Sequence, residues 1–306
     1  MSRRARKIEM MKQQIKWTVG CAAIAMAFAC LPIMAQAQQG TMASNASPTE
    51  QPKGKRFAKP ADATAALYAA ARHDDDAQLL VILGPDAKEI VEWNKDADQR
   101  REQRAQFVQK YEQMHRLMRE PDNTVALYVG AENWPLPIPI VEYKGAWYFD
   151  ADLGKQEIRY RRIGRNEVEA LEVCQSLVDA EKEFHANAHS YTAKFISASD
   201  SRDGLYWKST NDGSRSPIGP YLAHAGVESD SASAEPFHGY YYRILLKASD
   251  GFAVVAYPAM YRSSGVMTYI MNPDGTAYEK DLGDQTSANA KQMSSPHPDD
   301  SWKKVE

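Results

Sequence analysis

The side chains in this sequence with the clearest capacity for chemistry stand just before Asn166-Glu167. They are the guanidinium groups of Arg159, Arg161, Arg162 and Arg165. Guanidinium groups bind carboxylates and phosphates through paired hydrogen bonds, so the cluster could hold an anionic ligand. The interpretation we favour is structural: the arginines pair with the many acidic residues of the chain and join its two halves.

Aromatic residues form a second set of candidates. Trp134, Trp207 and the run Tyr240-Tyr241-Tyr242 could line a surface for a carbohydrate or a peptide. Core packing is the favoured interpretation, because large rings contribute most when they are buried. The residues predicted as interaction candidates are, from both sets, Arg161, Arg162, Asn166, Trp207, Tyr240 and Tyr241.

Other arrangements fall short of a catalytic or metal-binding pattern. His185 and His189 could share one face of a helix, as zinc ligands do, but no third ligand accompanies them. The segments 200–204 and 272–275 lack the spacing of a calcium loop, and turn formation explains both. Cys174 lies in an apolar helical pattern and is predicted to be a buried, inert thiol. We predict no catalytic residue, no metal ligand and no cofactor.

The charge of the chain restricts its partners. The chain has 37 Lys and Arg against 40 Asp and Glu, and residues 1–37 hold six of the basic residues and one acidic residue. Residues 38–306 therefore carry 31 basic and 39 acidic side chains, a net charge of −8. This balance argues against nucleic acid and anionic lipid as partners, because both bind basic surfaces.

Residues 1–37 have the features of a cleavable export signal. A basic start precedes an uncharged, mostly apolar run from Trp17 to Met34 and then Ala35-Gln36-Ala37. Signal peptidase needs small side chains there, so we place the cut after Ala37 and the true start at Met10 or Met11. An uncleaved membrane anchor is the less favoured alternative. We predict a periplasmic or extracellular protein that meets the membrane only through this segment, before cleavage.

The remaining chain is predicted to form two halves between flexible ends. Residues 38–56 and 286–306 are poor in apolar residues and are predicted to be a flexible linker and a disordered tail. The first half, 57–151, begins with helices that include a long one from Asp96 to Arg119. Strands follow, and the whole resembles the cone-shaped nuclear-transport-factor-like fold. The predicted strands of this half are Thr124–Val129, Ile138–Tyr143 and Trp147–Phe149.

The second half, 152–285, is predicted to contain one long helix followed by antiparallel strands. The helix spans Arg165–His189, and residues 199–236 are mostly loop. The fold class is therefore α+β, with a helical and β-hairpin first half and a long helix packed on an antiparallel sheet in the second. The predicted strands of this half are 239–247, 252–257, 266–271 and 276–280.

Several long motifs carry a family resemblance. They occur in the order Ile82-Leu83-Gly84-Pro85, Trp134-Pro135-Leu136-Pro137, Arg162-Ile163-Gly164-Arg165-Asn166-Glu167, Gly204-Leu205-Tyr206-Trp207 and Gly265-Val266-Met267-Thr268. This set resembles the bacterial exported family catalogued as domain of unknown function 2950, over roughly residues 57–286. The resemblance implies export and a shared fold, and no activity. Tyr261-Arg262 departs from the family, in which Tyr-Gly is common, and this puts any site on that loop in doubt.

The second half also resembles a type IV pilin or pseudopilin head. Asn166-Glu167 opens its long helix, and Ala180-Glu181 and Phe184 lie near the end, as in a pilin stem. A whole domain separates this half from the apolar N-terminal segment. The resemblance therefore implies a soluble pilin-like head and not a polymerising pilus.

These observations predict a non-enzymatic envelope protein that binds a protein partner or assembles at the cell surface. The alternative is a small-ligand-binding protein or hydrolase that uses a cone-shaped pocket in the first half. A third hypothesis is a sugar-binding head built on the aromatic strands. The alternative requires a deep cavity with converging polar groups, which a structure can test.

Overall fold

The computed structural model describes residues 53–198, 201–208, 215–226, 234–247 and 251–306. The predicted export signal, residues 1–37, and most of the predicted linker, 38–56, lie outside these ranges. The chain divides into two compact units, with the boundary between Ile158 and Arg159. Helices and antiparallel sheets are both present, so the predicted α+β class is confirmed.

The first unit begins with a group of short helices. Pro60 stands at the start of the first, where its fixed φ angle suits a helix and its missing N–H is not needed. The Asp75 side chain caps the second by accepting the Gln78 N–H at 2.9 Å. The helices of this group are α1 (Pro60–Arg72), α2 (Asp76–Leu83), α3 (Lys88–Val91) and α4 (Ala97–Gln113), with a 3-10 turn at Pro85–Ala87.

A cluster of charged residues holds α4 against the turn between α1 and α2. The largely buried Arg104 side chain bonds the carboxylates of Asp74 and Asp76, and Arg101 bonds Asp74 at 3.2 Å. Partial burial acts to raise the pKa of Asp74, but the hydrogen bonds from Arg104 and Arg101 outweigh it, and the pKa falls below its usual value. The arginines of α4 thus have a structural role.

The first sheet follows these helices and packs on them. Its strands have the order β1-β2-β4-β5, all antiparallel, and β3 pairs with β2. Leu127 and Phe149 of the sheet pack with Leu67 of α1 and Phe107 of α4 in one buried cluster. The strands are β1 (His115–Arg119), β2 (Val125–Val129), β3 (Trp134–Pro135), β4 (Ile140–Tyr143) and β5 (Ala146–Phe149).

The predicted helix from Asp96 to Arg119 is wrong beyond Gln113. Met114 adopts an extended conformation, with φ −164° and ψ 138°, and ends α4. Residues 115–119 then pair along their whole length with β2, so they form β1. The segment is rich in arginine, methionine and leucine, which favour helix, and the pairing with β2 overrides that weak preference.

The long helix begins earlier than predicted. Helix α5 (Ala151–Ala188) includes fourteen residues before the predicted start at Arg165. The Asp150 carboxylate accepts the N–H groups of Asp152 at 3.1 Å and Leu153 at 2.9 Å, and so caps the helix. The predicted boundary between the halves, at 151/152, falls on the first turn of α5, whereas the boundary between the units lies further along this helix.

The second sheet belongs to the second unit and packs on α5, as predicted. Its order is β10-β9-β8-β7-β6, and every pair is antiparallel. Cys174 and Leu177 of α5 lie in one buried cluster with Tyr242 of β6 and Val254 of β7. The strands are β6 (Tyr240–Lys247), β7 (Gly251–Pro258), β8 (Met267–Met271), β9 (Ala277–Asp281) and β10 (Lys303–Lys304).

The predicted disordered tail, residues 286–306, is wrong. Helix α7 (Thr286–Gln292) and Trp302 cover the second face of the sheet, and β10 pairs with β9. Strand β7 is buried at every residue from Phe252 to Pro258, so both of its faces need a cover. An uninterrupted apolar strand indicates burial on two faces, and this signal was present in the sequence.

The segment predicted as loop, 199–236, contains one short helix. Ile196 forms a bridge with Tyr206, and Leu205 is fully buried beside them. Helix α6 (Pro220–His224) follows, and Gly226 bridges to Tyr242 of β6. Residues 199–200, 209–214 and 227–233 of the segment lie outside the described residues.

Candidate functional site

The motif Asn166-Glu167 holds the connection between β7 and β8. The buried Asn166 side chain donates from Nδ2 to the Ser264 carbonyl oxygen at 2.8 Å. Glu167 Oε1 accepts the backbone N–H groups of Val266 and Met267 at 2.9 and 3.1 Å. Unpaired backbone groups are costly to bury, so these bonds fix the connection against α5. Asn166 is 8% exposed, which leaves little surface for a ligand.

The predicted arginine candidates lie on α5 beside the same connection. Arg162 is exposed and donates from Nε to the Ser263 carbonyl oxygen at 3.2 Å and from Nη2 to Ser263 Oγ at 3.3 Å. Arg161 is half-buried. The predicted pairing of this cluster with acidic residues is wrong for Arg162, because a carbonyl and a hydroxyl oxygen satisfy it instead. A surface arginine with these partners positions a loop more than it binds a ligand.

Two of the aromatic candidates point to opposite faces of the second sheet. Tyr240 is fully buried on the α5 side and donates its hydroxyl to the Met267 carbonyl oxygen at 3.0 Å. Burial raises the pKa of Tyr240 well above its ordinary value. Tyr241 is half-buried on the other face, with its ring 5.7 Å from that of Tyr257. Successive strand residues alternate between faces, so the two rings cannot line one surface.

Trp207 lies away from this connection, in the segment after the Tyr206 bridge. Its ring is half-buried, and the guanidinium of Arg202 stacks over it at 5.7 Å. The indole Nε1 is buried, and no described residue accepts its hydrogen bond. The six candidates thus do not form one surface. Arg162, Asn166 and Tyr240 surround the β7–β8 connection, and Trp207 and Tyr241 lie elsewhere in the second unit.

His185, His238 and Cys174 contact neighbouring side chains of the second unit and form no catalytic arrangement with one another. His185 stacks on Tyr191 with ring centres 4.4 Å apart, and His238 Nδ1 lies 2.8 Å from Glu169 Oε2. Burial raises the pKa of the Cys174 thiol far above its usual value, which disfavours the reactive thiolate. The described residues contain no group of three His, Cys, Asp or Glu side chains able to hold a metal ion. Among them, no helix is both long and apolar enough to cross a bilayer.

Within the described residues of the first unit, buried side chains fill the core face of the first sheet, where the alternative hypothesis requires a cone-shaped cavity. Side chains such as Phe107, Leu127 and Phe149 occupy this face. A groove of about 300 Å³ lies instead between α1 and α2. It is lined by three alanines, by Ile82 and by the polar side chains of Lys55, His73, Asp75 and Gln78. The groove is open to solvent and would bury only a small part of a bound ligand.

Glu181 is a buried carboxylic acid that was noticed in the sequence only as part of the pilin-like pattern. It projects from α5 into the core and is 0% exposed. Oε2 accepts the Thr192 N–H at 3.2 Å, and no described residue bonds Oε1. Burial raises the pKa of Glu181 to about 7, although the bond from Thr192 opposes this. The sequence signal for this buried acid is its position: Glu181 is spaced three or four residues from Leu177, Val178 and Phe184, on the apolar stripe of the helix.

Arg262, where the family resemblance leads us to expect glycine, has a left-handed backbone conformation with φ 57°. Side chains other than glycine are strained there by roughly 1 kcal/mol. Its guanidinium stacks on the Tyr261 ring at 5.2 Å, a contact at an exposed site. We expect Arg262→Gly to raise the free energy of unfolding by about 1 kcal/mol in urea titrations. Arg262→Ala, which keeps Cβ and loses the stacking, should give no gain. Equal stability of the two variants would contradict the strain.

Strand β1 was missed in the sequence, and it forms an open edge of the first sheet. The Gly130 N–H donates to the Met114 carbonyl oxygen at 2.9 Å. The Glu120 N–H donates to the Thr124 carbonyl oxygen at the same distance. Hydrogen-bonded pairs alternate along an antiparallel ladder, so the even-numbered residues of β1 bond to β2. The N–H and C=O groups of His115, Leu117 and Arg119 therefore point outward. No other described strand pairs with them.

Four of the five side chains along this edge are exposed, and two of them, Arg116 and Arg119, are cationic. The Arg116 guanidinium lies 5.1 Å from the centre of the Tyr128 ring, on one face of the sheet. Arg119 lies 5.4 Å from the centre of the buried Trp147 ring, on the other face. Met118 is 40% exposed between them. A long exposed edge is usually blunted in proteins by charge or by a cover, and here the arginines provide the charge.

The fold and the site define a two-unit α+β protein whose candidate residues hold loops and whose first sheet has an open edge. The chain matches the family described as "Protein of unknown function (DUF2950)" over residues 54–305, and it belongs to that family. The match continues through the C-terminal segment, beyond the end of the resemblance seen in the motifs. No curated protein and no solved structure matches the chain. The pilin-like resemblance of the second unit stays a prediction.

Proposed function

We propose that the protein is exported to the bacterial envelope and acts there by binding a partner protein, without catalysis of its own. The observation that carries the proposal is the open edge of β1, where the backbone groups of His115, Leu117 and Arg119 point outward. An exposed strand edge binds an extended segment of another protein by forming the same hydrogen bonds as a sheet. The signal-like segment of residues 1–37 supports export.

A small-ligand-binding protein or hydrolase is the second candidate. The groove between α1 and α2 favours it, because Lys55 and His73 could meet an anionic group there. The groove is shallow and is also lined by the acidic Asp75, so it supports this candidate less than the open edge of β1 supports a protein partner.

The proposal is tested by photo-cross-linking from two exposed methionine positions in living cells. A photoreactive amino acid replaces Met118 on β1 or, as the matched control, Met260 in the second unit, which is 62% exposed. We expect a defined protein adduct from position 118 and none from position 260. The adduct should appear in the envelope fraction, on a chain that begins at Gln38.

Three results would overturn this proposal. Adducts of the same pattern from both positions would indicate unspecific collisions. A chain that remains in the cytoplasm and keeps residues 1–37 would contradict the proposed export. If position 118 gives no adduct and substitution of Lys55 abolishes turnover of a small substrate, the second candidate replaces the first.

A further inference from the structure

We infer that the edge of β1 takes an extended, acidic segment of the partner as an added strand; this rests on the proposed function. Strand β1 reads His-Arg-Leu-Met-Arg and contains no acidic residue. Its outward backbone groups, on His115, Leu117 and Arg119, provide donors and acceptors at alternate positions. A strand that pairs there places its side chains alternately on the two faces of the sheet.

The arginines supply charge on both of those faces. Arg116 lies over Tyr128 on one face, and Arg119 lies over Trp147 on the other. Tyr128 belongs to β2 and Trp147 to β5, and Arg119 Nη1 also donates to the Asn123 carbonyl oxygen at 3.4 Å. The remaining N–H groups can bind a carboxylate when these long side chains turn toward a strand added beside β1, so acidic side chains on both faces of that strand meet a cation on each.

The acidic residues near β1 already have donors. The Tyr128 hydroxyl donates to Glu120 at 3.1 Å, and the Tyr68 hydroxyl donates to Glu112 at 2.5 Å. Glu132 forms an ion pair with Lys110. These carboxylates have hydrogen-bond or ion-pair partners within the first unit, and neither arginine of β1 is among those partners.

A second copy of this chain fits the edge less well. An antiparallel pair of β1 strands centred on Leu117 would set His115 of each copy opposite Arg119 of the other. Arg116 of each copy would face Met118, so the two strands would bring four arginines together without a carboxylate. In this register each arginine faces a histidine or a methionine of the other copy and gains no ion pair, which favours a partner of opposite charge.

The experiment uses the purified exported chain and a short labelled peptide of repeated Glu-Glu-Val-Val, which places glutamate on both faces of an extended strand. We expect the peptide to bind and to slow amide hydrogen exchange at His115, Leu117 and Arg119. The double variant Arg116→Glu/Arg119→Glu should weaken binding about tenfold or more, because it replaces two attractions with repulsions. Arg202→Glu is the matched control, since that arginine also stacks on a ring, and it should bind as the native protein does.

A peptide with lysine in place of glutamate is the control for charge, and it should not bind. Equal binding of the two peptides, or protection outside β1, would overturn the inference. If the acidic peptide does not bind while position 118 still gives its specific adduct in cells, the partner is not an acidic strand and the proposed function stands. Concentration-dependent dimers that protect β1 without peptide would identify a second copy as the occupant and overturn the inference too.

Discussion

Replacing Glu181 with glutamine should make the protein more stable at alkaline pH and leave its stability near pH 4.5 almost unchanged. Burial raises the pKa of Glu181 from 4.5 to about 7 in the folded chain. Between these pH values the unfolded chain releases a proton that the folded chain keeps, so stability is full below pH 4.5 and is lost as the pH rises through 7. The loss amounts to about 3 kcal/mol at pH 8. Glutamine cannot ionise and avoids it.

The measurement is urea unfolding at a series of pH values between 4.5 and 8, followed by circular dichroism. The Thr192 N–H can still donate to the side-chain oxygen of the glutamine, so the fold should persist. Glu172→Gln is the control, because Glu172 is exposed on the same helix, and it should keep the pH dependence of the native protein. If the Glu181 variant also keeps that dependence, the carboxylate ionises in the folded state without a penalty.

The parts of the fold that were predicted correctly are those with a strong local signal. Alternating and aromatic strands around Asn272-Pro273-Asp274-Gly275 identified β8 and β9, and the structure places the turn between them. The apolar stripe of Cys174 and Leu177 identified the face of α5 that packs on the sheet. Each of these patterns has a period or a turn type that allows one main interpretation.

The errors occurred where distant partners decide the local structure. Residues 115–119 form a strand because β2 is available to pair with them, and nothing within the segment requires it. The tail 286–306 is ordered because it covers the second face of β7. Only a few of its apolar side chains, among them Ala290 and Trp302, do so, and such a sparse set gives no clear signal in the sequence. Tertiary contacts of this kind outweigh local preference, which is worth a few tenths of a kcal/mol per residue.

The candidate site was predicted only in part, for a related reason. The sequence identified Arg162, Asn166 and Tyr240 as polar or aromatic residues in long motifs, and the structure brings them to one connection. Their partners there are backbone groups of residues 263–267, and sequence reasoning does not locate backbone groups. The open edge of β1 was missed for the same reason, because its interaction groups are N–H and C=O and carry no residue-specific signal.

Two glycines of the family motifs should respond in opposite ways to alanine, and this separates packing from function. A Cβ at Gly265 would overlap the Tyr240 hydroxyl, which is buried and bonded to Met267. The Tyr240 ring is enclosed in the core and cannot move aside, so Gly265→Ala should lower the free energy of unfolding by about 3 kcal/mol. Gly164 lies exposed in α5 with open space around its Cβ position. Gly164→Ala should raise the free energy of unfolding by about 1 kcal/mol, because alanine favours helix.

Urea unfolding of the two variants measures both effects, and Tyr240→Phe combined with Gly265→Ala tests their cause. Removing the hydroxyl relieves the closest overlap but leaves those with the ring carbons Cζ and Cε2 at 2.5 and 2.7 Å, so the double variant should recover only a small part of the stability lost in Gly265→Ala. The Gly164→Ala variant also tests function, because the alanine favours helix and its Cβ contacts no neighbouring atom, so a loss of binding could not come from a loss of stability. If Gly164→Ala stabilises the chain yet abolishes the adduct from position 118, the motif around Arg162 contributes to partner binding beyond its role in packing. If the adduct persists, the motif serves the fold, and the edge of β1 alone provides the interaction surface.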